Sequence, residues 1–550
     1  MLALRGTGQP SQHKWCLGSF PCGTITFSAD SFIINLPVID SGEVQHASAC
    51  YNSYRGDFLF TNGRWIWDEH GNTISGGGKM YYSSWVDFAD AAPNGLAYRQ
   101  SVLFLPSPRD SNKVYLFNIY PEHAIGSGSN YYEAPENVYF NIINLRGTNN
   151  QPEVTLKCDS ILHKRMLNGH LTATRHANGR DWWVVCHGYN TNTFYKFLIT
   201  GDTVGPAIQQ NIGSVMDDKN FFLGNGCFSP DGEHYVIISG ENGKIELYNF
   251  NRCSGEFTSL QQDTINRDNS PVNVPVSGAF SPSGRYYYVN TLYKLYQYDI
   301  DAPSFATSRL LIDTSDHYRE HPSLVQGDFG YLALAPNNKI YLSPWAGIEL
   351  IHEINYPDSA GKSCHFVQHF DTLLPYGNSG PPNVVNYDLG ATALYQAGAG
   401  PGKTILSGQS ILIGTSSVNG VLYQWNPTSG LSDPYIAQPI ATPLQTTTYY
   451  LTITDTSGGS GCYERVDSMT VFVADPGCEV KFQTLLLLGE NLRQLNYSER
   501  YAVSIFNALG QLVFSSDDYK GEWWPMINGF YAVKLQCENG EVRTHKLIVE

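Results

Sequence analysis

The stretch CFSPDGEHYVII (residues 227–238) decides the fold, because it returns roughly 50 residues later as AFSPSGRYYYVN (279–290). Each copy reads as a short apolar strand, a polar turn at Asp231-Gly232 or Ser283-Gly284, and a second strand rich in Tyr, Val and Ile. The same pattern appears as ACYNSYRGDFLF (49–60) turning at Gly56, and as VLFLPSPRDSNKVYLFNI (102–119) turning near Asn112. It appears again as TATRHANGRDWWVV (172–185) at Gly179 and LALAPNNKIYLS (332–343) at Asn338. Further strands follow the turns, as in KIELYNF (244–250) and KLYQYDI (294–300). A small sheet cannot bury both faces alone, whereas sheets packed side by side around an axis bury them all. The expectation is therefore a β-propeller. Six turns give six visible blades. The N-terminal strands near ITF and FIINL, with a strand near VVNYDL (384–389), form a seventh that closes the ring. Seven blades are expected, with six or eight as alternatives.

Working outward, the composition agrees. The 36 Tyr, 26 Phe and 10 Trp suit pleated, half-buried surfaces, and 52 Gly with 29 Pro suit many tight turns. The fold class is all-β. A net charge of -16 argues against nucleic acid and anionic membranes, which require clustered Lys and Arg. No stretch reaches the roughly 18 apolar residues of a membrane span. The opening residues, MLALRGTGQPSQHKW, contain no apolar run of the kind a secretory leader needs. The eleven Cys include no CxxC pair, so structural zinc is not expected, and the odd number leaves at least one thiol outside any intramolecular pair. Cys186 and Cys227 lie in apolar strand patterns and read as buried thiols.

Domain boundaries follow from the change in texture. Residues 1–392 are the propeller, and the Gly-rich residues 393–402 are a linker. Residues 403–475, with SILIGTS, VLYQWNP, TTTYYLTITD and SMTVFV, read as an immunoglobulin-like sandwich with Trp425 as core aromatic. Residues 476–550 read as a further antiparallel sheet module with a turn at Asn539-Gly540.

Three segments together resemble a known class. LFTNGRWIWDEHGN, HANGRDWWVVCHGYNTNTFYKFLI and INYPDSAGKSCHFVQH are similar to secreted, gliding-motility-associated propeller proteins of the Bacteroidetes. YQWNPTSGLSDPYIAQPIATPLQTTTYYLTITD resembles a PKD-like or immunoglobulin-like repeat. VSIFNALGQLVFSS, NGFYAVKLQCENGEV and KLIVE resemble a type IX secretion C-terminal sorting domain, with Gly510, Gly529, Tyr531 and Lys546 as its signature positions. The resemblance implies export across the outer membrane, engagement of the type IX machinery by the last domain, and a secreted or cell-surface location. The Tyr-Pro-Asn-Pro stretch common at the start of such domains is replaced here by KFQTLLLLGENL.

Candidate chemistry is weighed residue by residue. Arg55-Gly56-Asp57 spells an adhesion tripeptide but falls where the repeat needs a turn. His317, Glu320 and His321 match HxxEH, which needs both His on one helix face, yet Pro322 follows at once. His163, His170, His176 and His187 are expected to pin strands by hydrogen bonds rather than hold a metal. Asp231 and Ser283, like the glycines after them, are read as turn formers. Exposed tryptophans would offer a sugar platform, with Trp65, Trp67, Trp85, Trp182, Trp183 and Trp345 as candidates, although burial between blades is the default. Adjacent Trp182 and Trp183 must point to opposite faces. Asn496-Tyr-Ser498 is a sequon. No catalytic, metal or cofactor-binding residue is assigned, and no cofactor is expected. The expectation is a non-enzymatic surface or secreted protein. Its propeller is a rigid interaction or assembly body for a surface glycan, a protein or its own copies. The alternatives are a polysaccharide-acting hydrolase and a carbohydrate-binding adhesin.

Overall fold

The computed structural model describes the chain except for residues 1–13, 18–22, 29–31, 36–48, 54, 81–99, 122–134, 168, 202, 217–222, 241, 267–273, 322–324, 327, 345–349, 373–379, 393–395, 456–463, 475–483, 493–500 and 538–541. Two compact units emerge, one built on Met1–Tyr395 and one on Gln396–Ser457 with Tyr463–Glu550.

In the first unit the described strands form seven antiparallel meanders, the number expected. Sheet 1 is Lys14–Leu17, Gly23–Phe27 and Phe32–Asn35, and sheet 2 is Ala49–Asn52, Phe58–Thr61 and Ile66–Trp67. Sheet 3 is Val102–Pro106, Lys113–Pro121, Pro135–Asn144 and Glu153–His163. Sheet 4 is Thr172–Arg175, Trp182–His187, Thr191–Thr200 and Ile208–Met216, with the short Thr203–Val204 beside it. Sheets 5 and 6 begin at Gly226–Phe228 and Pro275–Phe280 and end at Glu256–Thr264 and Leu310–Thr314. Sheet 7 runs from Phe329–Leu334 to Phe366–Thr372.

One turn, repeated in five sheets, explains the sequence pattern. In sheet 5, Gly232 N donates to Ser229 O at 2.8 Å and Ser229 N donates to His234 O at 2.9 Å. The same bonds join Gly284 with Ser281, Gly179 with His176, Gly56 with Ser53, and Asn338 with Ala335. The residue that closes each turn is left-handed, with φ of +73°, +79°, +69°, +92° and +63° in that order. Only Gly, or less readily Asn, adopts that conformation cheaply. Asp231 Oδ1 accepts from Glu233 N at 3.0 Å and from the Ser229 hydroxyl, and Ser283 Oγ accepts from Arg285 N at 3.3 Å, so both are turn formers.

Between the sheets lie the aromatic side chains. Trp182 packs toward sheet 3, its Nε1 donating to Pro106 O at 3.0 Å. Its neighbour Trp183 packs toward sheet 5, donating to Arg252 O at 2.8 Å. Phe194, Tyr235, Tyr248 and Phe257 fill the seam between sheets 4 and 5, Tyr287 and Tyr298 the next, and Tyr286 and Tyr288 the one after. Each such side chain, fully buried, contributes about 1.5–3 kcal/mol. The ring closes in the same way. Trp15, Ile25 and Phe27 of sheet 1 share one apolar cluster with Phe58 and Phe60 of sheet 2 and Tyr341 of sheet 7. The Tyr341 ring lies 6.5 Å from Trp15 and 5.7 Å from both Phe27 and Phe32.

One expectation is corrected. VVNYDL (384–389) is not a strand of the seventh blade; it pairs with no ladder, and the N-terminal strands make sheet 1 among themselves. Pro381 and Pro382 precede it and bring no N–H to a ladder.

The second unit holds a four-stranded sheet, in the order Lys403–Leu406, Glu464–Ala474, Thr447–Asp455 and Val421–Asn426, beside the pair Ile411–Leu412 and Ile440–Ala441. Trp425 is fully buried there, and its Nε1 donates to Ile436 O at 3.0 Å. A five-stranded sheet follows in the order Leu485–Leu486, Val542–Val549, Gly529–Cys537, Tyr501–Asn507 and Leu512–Ser516. Gly510 (φ +77°) closes its hairpin turn onto Asn507 O, and Gly529 (φ +150°) opens a strand. Tyr531 donates to Ile527 O at 2.8 Å, and Lys546 Nζ sits 4.4 Å above the Phe530 ring. Trp85, Trp345, Asn496 and the Asn539-Gly540 turn lie outside the described residues.

Candidate functional site

The first strand of each sheet lines the axis of the ring, because the meander starts there and works outward. A cavity of about 940 Å³ remains among the first strands of sheets 4 to 7. At one end, where the left-handed turns lie, it is rimmed by Pro230, Pro282 and Pro336 from three successive turns. The opposite end is where one sheet connects to the next.

Residues 381–390 form another wall of this cavity. Asn383 Nδ2 donates to Val102 O at 2.8 Å and Leu171 O at 3.0 Å, where sheets 3 and 4 begin. Further along, Tyr387 donates to Phe104 O at 2.7 Å, and Asn386 Nδ2 donates to Pro230 O at 2.8 Å. Thr392 N reaches Ala177 O at 2.8 Å, beside the turn of sheet 4. The segment thus descends the axis from the connection end to the turn end. Two arginines clamp it. Arg175 Nη2 donates to Tyr387 O at 3.2 Å, and its guanidinium lies 3.8 Å from the Trp182 ring. Arg252 Nη2 donates to Gly390 O at 2.6 Å, while Nε donates to Arg175 O at 3.0 Å and Nη1 to Asp231 O at 3.2 Å. Burial pulls both guanidiniums down to about 10, which leaves them charged at neutral pH.

The amides around the cavity serve the framework. Gln100 Nε2 donates to Gly226 O at 3.1 Å, and its Oε1 accepts from Gly226 N at 3.1 Å. Asn225 makes the same two-way contact with Gly278 at 2.9 Å. Asn290 Nδ2 donates to Gly330 O at 2.8 Å. Gln100 and Asn225 thus act as a strand's own N–H and C=O would, while Asn290 fastens its neighbour by donation alone. Sequence reading missed these residues, although a glycine recurs within the first strand of sheets 5, 6 and 7. At Gly226 and Gly278 a Cβ would stand 2.2 and 2.3 Å from the hydroxyls of Tyr235 and Tyr287. Asp388 is the one charged residue lining the cavity among the described residues. The described wall offers amides, hydroxyls and one carboxylate to whatever enters.

The remaining candidates are dispersed. Asp57 is held by Arg146 at 2.7 Å and by Ser53, and Arg55 donates to Asn112 Oδ1 at 2.9 Å, so the tripeptide is a turn engaged at both ends. His163 pairs with Asn137 Oδ1 at 2.8 Å, and His170, His176 and His187 meet the carbonyls of Ile238, Cys253 and Gly188 at 3.0, 3.1 and 2.9 Å. Among the described residues no His, Cys, Asp or Glu groups into a metal-ligand set. The HxxEH stretch has no helix, since Arg319–His321 is a strand paired with Val325–Gln326. Trp67, Trp182 and Trp183 are buried and Trp65 is half-buried. Cys186 is buried and Cys227 half-buried. At the connection end, His317 Nδ1 meets Asp328 Oδ1 at 2.9 Å, and Ser315 donates to the same oxygen at 2.8 Å. His317 is left-handed at φ +56°, its ring is half exposed, and Asp328 is buried.

No protein-family model and no curated protein matches the chain. Similar solved structures include a protein from Lactobacillus plantarum, 14% identical with a TM-score of 0.41, covering 67% of this chain and 98% of that one. A putative 6-phosphogluconolactonase from Bacteroides uniformis is 10% identical with a TM-score of 0.39, over the same shares. The periplasmic gluconolactonase PpgL of Pseudomonas aeruginosa is 10% identical with a TM-score of 0.36, again over 67% and 98%. Likenesses of this size assign no activity. They do correct the expectation of a non-enzymatic chain: proteins named as lactonases stand among the similar structures, so a propeller body is no ground for excluding catalysis.

Proposed function

We propose that the chain is an exported, surface-attached or secreted binding protein. Its propeller takes a neutral, hydrogen-bonding ligand at the turn end of the axial cavity. Its five-stranded sheet is the sorting domain that engages the type IX machinery, and the four-stranded module before it is an immunoglobulin-like spacer. The axial cavity carries the binding reading, since among the described residues Asp388 is the one charge in a wall of amides, hydroxyls, prolines and apolar side chains. Export is supported by chemistry that belongs to oxidising compartments: Cys16, Cys253 and Cys537 are disulfide-bonded, while Cys50, Cys158, Cys186, Cys227 and Cys364 are free.

Mass spectrometry of the native protein from cells and medium tests export. The expected product lacks the last roughly 60–80 residues, and Cys16 and Cys253 alkylate only after reduction. Full-length, fully reduced protein confined to the cytoplasm would refute it.

A second reading, hydrolysis at the connection end, is favoured by the His317–Asp328 pair. A buried carboxylate meets the imidazole at Nδ1 and the ring is half exposed, which is an arrangement that general-base chemistry can use. A hydrolysis screen over ester and glycoside substrates checks it. Any turnover found should fall about a hundredfold or more in His317→Ala, and turnover indifferent to that change rules out the assignment.

A further inference from the structure

The wall of the axial cavity carries peptide groups that no ladder uses. In sheets 5, 6 and 7 the first strand pairs on one side only, so its other edge faces the axis. Residues along such an edge alternate: one bonds into the ladder, and the next turns both its N–H and its C=O away from it. Ser229 N, Ser281 N and Ala335 N donate into their ladders, to His234 O at 2.9 Å, Tyr286 O at 2.8 Å and Lys339 O at 2.8 Å. Phe228, Phe280 and Leu334, one residue earlier, therefore turn N–H and C=O toward the axis, and all three line the cavity.

Two residues further from the turns, couples of the same kind are filled, and amides fill two of them. Gly226 N and O meet the carboxamide of Gln100, and Gly278 N and O meet that of Asn225. Leu332 N there donates to Ser277 Oγ at 2.9 Å. At the level of Phe228, Phe280 and Leu334 the described residues supply only the Cys227 sulfur. Its thiol donates to Phe228 O at 3.4 Å and takes the Phe280 N–H, and sulfur is a weak partner in both roles. Sheets 3 and 4 differ at this level. Ser107 N donates to Lys113 O at 3.1 Å, which puts Pro106, with no N–H, at the matching place. The Pro106 carbonyl takes Trp182 Nε1 at 3.0 Å, and Arg175 O takes Arg252 Nε at 3.0 Å. Donor–acceptor couples thus stand open toward one cavity in three successive sheets. An amide presents its own N–H and C=O in the matching arrangement, as Gln100 and Asn225 do one level away. An extended peptide repeats that group along its length.

We propose that the turn end of the axial cavity binds a short extended peptide, its main-chain amides meeting Phe228, Phe280 and Leu334. This rests on the reading of the cavity as a ligand site and names what the site takes. A volume of about 940 Å³ admits only a few residues.

Calorimetric titration of the full chain tests it, with a set of acetylated, amidated tetrapeptides of neutral residues and, in parallel, with cellotetraose, chitotetraose and laminaritetraose. The expected result is binding within the peptide set. N-methylation of the central amides should weaken the best binder roughly tenfold or more. Leu334→Pro should weaken it likewise, because it removes one axis-facing N–H, leaves the ladder bonds in place, and copies what sheet 3 already has at Pro106. Should that variant unfold early, the methylated peptide against the unaltered chain decides. Binding of a tetrasaccharide without any peptide would overturn the inference and leave the cavity a ligand site. Binding of neither class would overturn both readings. Peptide binding indifferent to N-methylation and to Leu334→Pro would overturn the inference as well.

Discussion

Arg252 shows how much of the first unit depends on single side chains. Its three guanidinium nitrogens reach four carbonyls: Arg175, His176, Asp231 and Gly390. These come from sheet 4, sheet 5 and the axial segment, and a lysine cannot reproduce the fork. Arg252→Ala should lower stability by about 2–4 kcal/mol, because buried acceptors lose their donor, and Arg252→Lys should recover little of it. Urea unfolding followed by tryptophan fluorescence measures both. His187 sets a pH response. Burial, then the neighbouring His170, pulls its pKa from 6.5 down to about 3, so the folded state holds the ring neutral. Unfolding takes up a proton between those values, and stability should fall as pH drops through about 6.5 to 3. The slope from this group is at most about 1.4 kcal/mol per pH unit. His187→Asn should flatten it in a pH series of denaturation midpoints.

At the level of the element, the left-handed turns were readable from local chemistry alone. Gly56, Gly179, Gly232, Gly284 and Asn338 each close the same turn for the same steric reason. Their surroundings were not readable. A Cβ on Gly56 meets nothing within 4 Å, whereas one on Gly179 would stand 2.4 Å from Ala391 N. Gly56→Ala should therefore cost about 1 kcal/mol, the backbone penalty alone. Gly179→Ala should cost about 2 kcal/mol or more and expose the 390–392 backbone to amide hydrogen exchange; equal costs at the two sites would contradict the packing described. VVNYDL marks the limit of pattern reading. An apolar, β-favouring run looks alike whether its N–H groups find a ladder or, as here, its residues are held by the Arg175 side chain and by the carbonyls of Phe104 and Pro230, all far away in sequence. The amide fasteners were equally hidden, because Gln100 and Gly226 become neighbours only once the ring has formed.

For the molecule as a whole, repeated β units predicted both the all-β class and the ring, since spacing and aromatic content are properties of the sequence itself. How the ring closes was not legible. Among the described residues, sheet 1 joins sheet 7 by edge-to-face and tilted aromatics around Tyr341 rather than by a strand shared between the two ends of the unit. A seam of that kind resists separation through side-chain contact alone, with no backbone ladder across it. The axial segment changes what tension does to such a body. Chain leaving at Thr392 is gripped at Ala177, Arg175 and Arg252, so a pull on everything downstream is delivered to the middle of the ring. The aromatic seam between the first and last sheets shares none of those contacts, so such a load bypasses it.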